Sequence, residues 1–159
     1  MSGIEIKQAT VEDAAEILAL QRLAYQSEAE LYDDDSIPPL TQTLDGLVKD
    51  FALKVFLKAV ADSSIVGSVK LGQDSHSVQV ERLIVTPSRQ RAGIGTELMR
   101  QAEAVFPDVQ RYELFTGHKS VKNIRLYERL GYREFRREKV HDGLVLVFME
   151  KVVLPVRMG

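Results

Sequence analysis

The spacing of apolar and polar residues along the first third of the chain predicts one strand followed by helices. Ile4 and Ile6 alternate with polar neighbours, as in a strand with one buried face. Thr10 then offers an N-cap, with Asp13 in the capping-box position. We expect the helix that follows to end or bend between Tyr25 and Tyr32, because an acidic run and two prolines then lead the chain into a loop. The apolar positions that define this helix are Ala14, Ile17, Leu18, Leu20 and Leu23.

The middle of the chain reads as a short helix and three successive strands. The helix begins at Thr41 or Thr43 and runs through Phe51. Strands are predicted over 55–62, 65–71 and 77–85, and the short polar links between them favour antiparallel pairing.

The last third alternates helices with strands and ends in a hairpin. The chain is predicted to form a helix that stops at Pro107, a strand over 111–116, and a helix over 120–131 with Ser120 as N-cap and Gly131 just past its end. The order β-α-α-β-β-β-α-β-α-β-β predicts an α/β fold with a mostly antiparallel sheet of about seven strands. About four helices flank it, and the strands at 77–85 and 111–116 form one parallel pair.

Composition narrows the functional classes. Lys and Arg number 21 against 23 Asp and Glu, so the net charge of −2 gives no basic field, and we predict no nucleic-acid partner. No apolar run approaches the roughly 20 residues of a membrane span, and the start resembles no signal peptide, so we expect no membrane association and a cytoplasmic location. We find no repeat and no linker, which predicts a single domain over 1–159.

The residues that commonly bind transition metals are scarce. The chain has no cysteine, which excludes disulfides, thiolate metal sites and a cysteine nucleophile. His76, His118 and His141 lack the spacing of metal ligands. We therefore predict no metal.

A glycine pair marks the junction between a strand and a helix. Gly93 and Gly95 stand where the first amide N–H groups of a helix have no intrahelical partner and where glycine lets an anion approach the main chain. This favours a phosphate or pyrophosphate site, although a plain tight turn has the same spacing. The third glycine of a dinucleotide fold and the lysine of a Walker loop are both absent.

Two segments of the chain resemble motifs of the GNAT family of N-acetyltransferases. Gln90-Arg91-Ala92-Gly93-Ile94-Gly95 resembles the family's Gln/Arg-x-x-Gly-x-Gly/Ala signature, with Ala92 at a position where many members carry Gly, Arg or Lys. The segment 123–132 resembles a second motif, in which an Asn precedes a Leu-Tyr-Glu-x-Leu-Gly-Tyr ending. Together with the element order, the resemblance spans Ile4 to about Val152.

The resemblance implies acetyl-CoA as acyl donor, with its pyrophosphate on the glycine loop. It also implies that the backbone of 83–85 pairs with the pantetheine arm, which enters a gap between the two parallel strands. The implied cofactor-binding residues are Leu83, Ile84, Val85, Gln90, Arg91, Ala92, Gly93, Ile94, Gly95, Thr96, Asn123 and Tyr127.

Acetyl transfer to an amine requires a base, because a primary amine with a pKa near 10 is almost wholly protonated at neutral pH. We predict Glu81 as this base, since apolar neighbours would raise the pKa of its carboxyl. An ion pair with Arg82 or Arg111 is the other reading of Glu81. The resemblance leaves the position of the base open, because many family members carry the carboxylate two residues earlier, where this chain has Gln79, while others use the position of Glu81.

Strand alternation gives Glu81 its expected face. Regular alternation places Gln79, Glu81, Leu83 and Val85 on one face of the sheet. For the second catalytic group, the resemblance implies that Tyr127 protonates the departing thiolate.

The acceptor side is predicted from an acidic and aromatic stretch in the loop expected over 25–41. Tyr25, Glu28 and Tyr32 would attract a cationic amine there, although a solvated acidic loop is the other interpretation. The predicted reaction is direct acetyl transfer, in a ternary complex, to a primary amine of a small molecule or peptide. A non-catalytic acyl-CoA sensor or partner module, or transfer of a larger acyl group, is the alternative.

The apolar run 144–148 in the last hairpin bears on the oligomeric state. It favours a homodimer, although central strands that are covered on both faces show similar runs.

Overall fold

Seven strands form one sheet in the computed structural model, which describes residues 3–90 and 92–153. Their order across the sheet is β1-β2-β3-β4-β5-β7-β6, and all neighbouring pairs are antiparallel except β4 and β5. This confirms the predicted fold class. The strands are β1 (Glu5–Gln8), β2 (Val55–Ala61), β3 (Ser64–Gln73), β4 (Ser77–Val85), β5 (Arg111–Gly117), β6 (Arg133–His141) and β7 (Leu144–Val152).

Six helices accompany the sheet in the described residues, where about four were predicted. They are α1 (Ala14–Ala24), α2 (Gln26–Tyr32), α3 (Pro38–Thr41), α4 (Leu44–Leu53), α5 (Ile94–Val105) and α6 (Val121–Arg129). The loop predicted over 25–41 is therefore wrong, since it contains α2 and α3. Pro38 opens α3 because the first helical position needs no N–H donor. Thr43 caps α4 as predicted and accepts a 3.1 Å hydrogen bond from the Gly46 amide.

Each face of the sheet carries its own hydrophobic core. Helices α5 and α6 cover one face, called here the α5–α6 face, where Val78, Val80 and Leu98 are buried. Helices α1 and α4 cover the other, the α1–α4 face, where Leu47 and Ile84 are buried. Residues on β4 therefore supply both cores.

A β-bulge interrupts β4 at Arg82. Lys70 of β3 pairs with Glu81, and Ser68 pairs with Ile84, so two residues of β4 face one residue of β3. Arg82 adopts φ 52°, in the left-handed region. The extra residue bends the strand and shifts its alternation by one.

Because of the bulge, the side chains of β4 after Arg82 lie on other faces of the sheet than predicted. Leu83 and Val85 pack against the α5–α6 core, on the same side as Val80, whereas Ile84 belongs to the opposite core. Glu81 lies on the α1–α4 face. The prediction that Leu83 and Val85 share the face of Glu81 is wrong, because simple alternation ignores the inserted residue.

The parallel pair is short. Strands β4 and β5 pair only over 77–79 and 111–113, although both continue for several residues beyond this point. The sheet therefore divides between the C-terminal parts of β4 and β5. This division is the predicted gap.

The end of α6 follows the sequence prediction, but its start does not. Gly131 has φ 98°, and the Tyr132 amide donates to the Tyr127 carbonyl at 2.9 Å, as in a Schellman ending. Ser120 precedes α6, yet its side chain makes no capping bond to the helix. The hydroxyl is directed at α2 instead.

The far edge of the sheet is poorly covered. Strand β6 is exposed along its whole length, and Phe115 and Phe135 are exposed on this part of the sheet. Among the described residues, no helix is both long and apolar enough to cross a membrane.

Candidate functional site

The N-terminus of α5 presents main-chain donors at the gap between β4 and β5. Gly93 precedes the helix with φ 82°, a conformation that side chains rarely allow. Ile94, Gly95 and Thr96 are the first residues of α5, and amide groups at such positions have no partner within the helix. The positive end of the helix dipole adds to their attraction for an anion.

Gly95 lies beside the C-terminal part of β4, at the gap. A methyl group on Gly95 would lie 3.7 Å from Leu126 and 3.8 Å from both Leu83 and Val85. Apolar side chains of β4 and α6 therefore line the space directly beside the main-chain donors. Such a site suits a ligand with an anionic part and a largely apolar arm.

The other residues of the glycine loop are less engaged. Gln90 Nε2 donates to the Val85 carbonyl at 3.4 Å, and Ala92 is exposed. Arg91 lies outside the described residues. Ile84 turns its side chain into the α1–α4 core, so only its main chain faces the neighbouring strand.

Glu81 is paired with a residue that the sequence analysis did not consider. Lys54 Nζ lies 2.6 Å from Glu81 Oε2, and both side chains are partly exposed. The predicted partners are engaged elsewhere, since Arg82 donates to Gln42, and Arg111 pairs with Glu113 and Glu150. The expected apolar surroundings of Glu81 are therefore wrong, because the bulge turns Leu83 to the opposite face.

A buried ion pair stands next to Glu81. Lys70, opposite Glu81 on β3, is 4% exposed, and its Nζ lies 3.0 Å from Asp50 Oδ2 of α4. Burial lowers the pKa of Lys70, and the Asp50 carboxylate opposes this change. Burial alone would raise the pKa of Asp50, but hydrogen bonds from Lys70 and Gln42 outweigh it and lower the pKa.

Tyr25 and Tyr127 approach the gap from opposite faces. Tyr25 packs against the α1–α4 core, and Tyr127 belongs to the α5–α6 core. Burial raises the pKa of Tyr25 to about 12; the charge of Arg82 opposes this rise, whereas Glu28 and Glu81 add to it. Burial also raises the pKa of Tyr127, with smaller effects of Tyr25 and Glu28. Both hydroxyls therefore stay protonated near neutral pH.

Helix α2 is bonded to the start of α6. The hydroxyls of Tyr32 and Ser120 lie 2.8 Å apart, and Tyr32 accepts a 2.9 Å bond from the Lys119 amide. Ser120 Oγ donates to Glu28 at 2.7 Å, and Asn123 Nδ2 donates to Glu28 at 3.3 Å. The acidic stretch of α2 is thus partly buried and bonded, rather than a solvated loop.

Gly117 makes this contact possible. A side chain on Gly117, at the end of β5, would overlap the Tyr32 hydroxyl. Neither Gly117 nor Lys54 was predicted as a site residue, since neither belongs to a motif and their partners are distant in sequence. The position of a glycine at a strand end is the one signal that could have indicated Gly117.

The predicted site residues come from three parts of the fold, and among them Glu28 and Asn123 are hydrogen-bonded. Glu81 comes from β4, Tyr25 and Glu28 from α1–α2, and Asn123 and Tyr127 from α6. Within residues 3–90 and 92–153, no group of three or more His, Asp or Glu side chains is arranged to hold a metal ion.

Comparison with known proteins identifies the fold and the family. The family model described as an acetyltransferase (GNAT) domain matches residues 44–153. Over 145 residues, which are 90% of this chain, the sequence is 29% identical to UPF0157 protein YqkA of Bacillus subtilis. The match covers 40% of that longer relative.

Solved acetyltransferase structures share the fold at low sequence identity. The PaiA N-acetyltransferase of Thermoplasma acidophilum, in complex with coenzyme A, has a TM-score of 0.80 at 21% identity and covers 96% of this chain and 100% of its own. The ribosomal-protein-S18-alanine N-acetyltransferase of Escherichia coli has a TM-score of 0.80 at 14% identity, with 98% and 99% coverage.

YncA of Salmonella typhimurium, a putative acetyltransferase in complex with acetyl-CoA, extends this agreement. It has a TM-score of 0.77 at 18% identity and covers 99% of this chain and 98% of its own. Since the GNAT domain model spans more than half of the sequence, the chain belongs to the GNAT family of acetyltransferases.

Proposed function

We propose that this N-acetyltransferase transfers the acetyl group of acetyl-CoA directly to a primary amine of a small molecule or peptide. The observation that carries the proposal is the gap that opens where β4 stops pairing with β5, with Glu81 on the strand that borders it and the N-terminus of α5 beside Leu83 and Val85 of the same strand. The complexes of PaiA with coenzyme A and of YncA with acetyl-CoA support the choice of donor.

The gap fits the parts of coenzyme A. The amides of residues 93–96 would hold the pyrophosphate, with the side chain of Gln90 nearby. The main chain of 83–85 would pair with the pantetheine arm. Asn123 uses one amide N–H on Glu28, which leaves its second N–H and its carbonyl for that arm. When bound, acetyl-CoA supplies an acetyl thioester.

Glu81 is the proposed general base. Its Oε2 accepts from Lys54, and its second oxygen has no hydrogen-bond partner among the described residues. A carboxylate attracts the ammonium form of the acceptor and takes its proton, which frees the nitrogen lone pair for attack. Tyr25 and Glu28 would orient the amine in the acceptor site. Tyr32 would form part of the wall of this site.

Tyr127 is the proposed general acid. Its raised pKa keeps the hydroxyl protonated, so the group is available to donate a proton to the departing sulfur. Its ring meanwhile packs with Tyr132, at a centroid distance of 6.1 Å. Ring packing therefore fixes the position of the hydroxyl.

Calorimetric titration with acetyl-CoA, followed by thiol release with a panel of polyamines, amino acids, aminoglycosides and peptides, tests the proposal. We expect binding, and release with at least one class of amine. Binding without release from any of them would favour a sensor or partner module, and release only with longer acyl-CoA donors would favour a larger acyl group. Absence of binding would contradict the proposal.

Two expectations concern the protein in solution and in the cell. The homodimer stays a prediction; exposed Phe135 lies on the edge strand β6, next to β7, which carries the apolar run 144–148. Light scattering at several protein concentrations tests it, and a monomer at all of them would contradict it. The cytoplasmic location also stays a prediction.

A further inference from the structure

Lys54 places a primary amine on the proposed base. Its Nζ lies 2.6 Å from Glu81 Oε2, and Glu81 is the one hydrogen-bond partner of Nζ among the described residues. The proposed reaction consumes the same functional group. The lysine therefore occupies the position that the proposed mechanism gives to the acceptor nitrogen.

The main chain of Lys54 is held by a hydrogen bond, whereas its side-chain amine can change position. Lys54 stands between α4 and β2, and its amide donates to the Asp50 carbonyl at 2.8 Å. The side chain is 29% exposed. A lysine stem has four carbons with free rotation, so Nζ can move while the main chain stays in place.

Gly72 provides the path that the lysine takes across the sheet. Strands β2 and β4 are two spacings apart, about 10 Å, with β3 between them. A methyl group on Gly72 would lie 3.4 Å from Lys54 Cε and 3.6 Å from Glu81 Oε2, so both side chains meet over this glycine. The contact therefore depends on two long side chains that pass over β3 at Gly72, where this strand has no side chain.

Glu81 also stands next to the opening of the sheet. It directly precedes the bulge at Arg82, and β4 has already ceased to pair with β5 at this point. An amine held by Glu81 is therefore beside the gap proposed to receive the thioester. Lys58 offers a contrast, because it pairs with Asp13 at 2.8 Å over β2, away from that gap.

We propose that Lys54 is an internal acceptor, acetylated at Nζ by the protein's own bound acetyl-CoA. This inference rests on the proposed function. Glu81 takes one proton from the Lys54 ammonium, and the nitrogen attacks the thioester carbonyl. The N–C bond forms, the C–S bond breaks, and coenzyme A leaves as the thiol after Tyr127 supplies a proton. The nitrogen gives up its second proton as the amide forms, and this proton restores the Tyr127 hydroxyl. The product is a neutral amide that no longer pairs with Glu81.

Mass spectrometry of the intact protein tests the proposal directly. The purified chain is incubated with acetyl-CoA without any amine, and the acetylated site is mapped by peptide digestion. We expect one added acetyl group on Lys54, at a rate per molecule that does not change with protein concentration. Lys58, a paired and similarly covered lysine, is the control within the same digest.

Two variants separate catalysed from spontaneous acetylation. Lys54→Arg keeps a cation beside Glu81 and is expected to gain no acetyl group. Glu81→Gln is expected to slow acetylation of Lys54 about 100-fold, the low end of what a positioned base contributes, with Lys58 unchanged. Thermal melts of both variants verify that they fold.

The outcomes separate this inference from the proposed function. Equal acetylation of Lys54 and Lys58, or an undiminished rate in Glu81→Gln, would show chemical acetylation and overturn the inference. Binding of acetyl-CoA and turnover of an added amine without acetylation of Lys54 would overturn the inference alone. Absence of acetyl-CoA binding would overturn both.

Discussion

The two sides of the gap are built by different means. On the α5–α6 side, the candidate cofactor site consists of amide groups, two glycines and apolar walls. On the α1–α4 side, the candidate acceptor site consists of charged and hydroxylated side chains bonded in pairs, among them Glu81 with Lys54 and Tyr32 with Ser120. One side depends on the course of the backbone, the other on contacts between distant residues.

This difference teaches where chemical specificity resides. A main-chain cradle recognises what all its ligands share, here an anionic group, and most side-chain substitutions leave it unchanged. A side-chain network changes its charge and shape with each substitution. The acceptor side is therefore where we expect members of this fold to diverge in substrate.

The largest expected effect is on the affinity for acetyl-CoA, at the cofactor side of the gap that is built from main-chain groups. Gly95→Leu would project into the gap and weaken acetyl-CoA binding at least about 100-fold, or about 2.7 kcal/mol. Gly95→Ala is the matched control, because its methyl group would meet its neighbours at 3.7 Å or more. Calorimetry measures both. Equal affinity of the two variants for acetyl-CoA would contradict the proposed cofactor site at Gly95.

The next effect is on the free energy of unfolding, through the side-chain contacts between α2 and the end of β5. Gly117→Ala would push its methyl group into the Tyr32 hydroxyl and lower the free energy of unfolding by about 2 kcal/mol, as overpacking typically does. Chemical denaturation measures the loss. The double variant Gly117→Ala with Tyr32→Leu should lose less than the sum of the two single variants, since the ring and hydroxyl that the methyl group would overlap are both gone. A single variant as stable as the parent would contradict the contact.

A smaller effect distinguishes chemistry from binding at the gap. Tyr127→Phe should lower kcat about tenfold and leave the Kd for acetyl-CoA nearly unchanged, because only the proton donor is lost. Tyr132→Phe is the control, since its hydroxyl donates to Glu103 rather than to the gap. If kcat stays unchanged in Tyr127→Phe across the pH range, another group protonates the sulfur.

The smallest effect concerns the ion pair beside Glu81. Asp50→Asn should cost about 1 kcal/mol of unfolding free energy at neutral pH, less than the roughly 1.5–3 kcal/mol of a hydrogen bond to a charged group, because the amide oxygen of Asn can still accept from Lys70. The pKa of Asp50 is lowered in the folded protein, so its contribution is present above the ordinary Asp pKa of about 4 and is lost as the pH falls through the folded value. Denaturation from pH 7 down to about pH 3 should therefore narrow the difference in unfolding free energy between parent and variant; a difference that does not shrink over this range would contradict the pair.

The same division explains what the sequence could predict. The seven strands and the ends of α4 and α6 follow from local patterns, since Thr43 and Gly131 act within one turn of their own helix. The glycine loop was found because its requirement is a backbone conformation that leaves a fixed spacing.

The rest depends on residues that meet only after folding. Lys54 lies 27 residues from Glu81, and Tyr32 lies 88 residues from Ser120, so no local spacing indicates either contact. Ser120 is a good N-cap by residue type, but tertiary bonds to α2 claim its hydroxyl. The face of Leu83 was mispredicted because a single left-handed residue, Arg82, resets the alternation.

The bulge has a consequence for how such a protein can change by insertion and deletion. Removing Arg82 would leave Val80, Leu83 and Val85 on their present face and Glu81 and Ile84 on theirs, because the strand would regain one-to-one pairing with β3. The pattern of side chains would survive, but the strand would run straight. The bend of β4 beside the gap thus depends on the number of residues in the strand, so a deletion would remove it although every side chain kept its face.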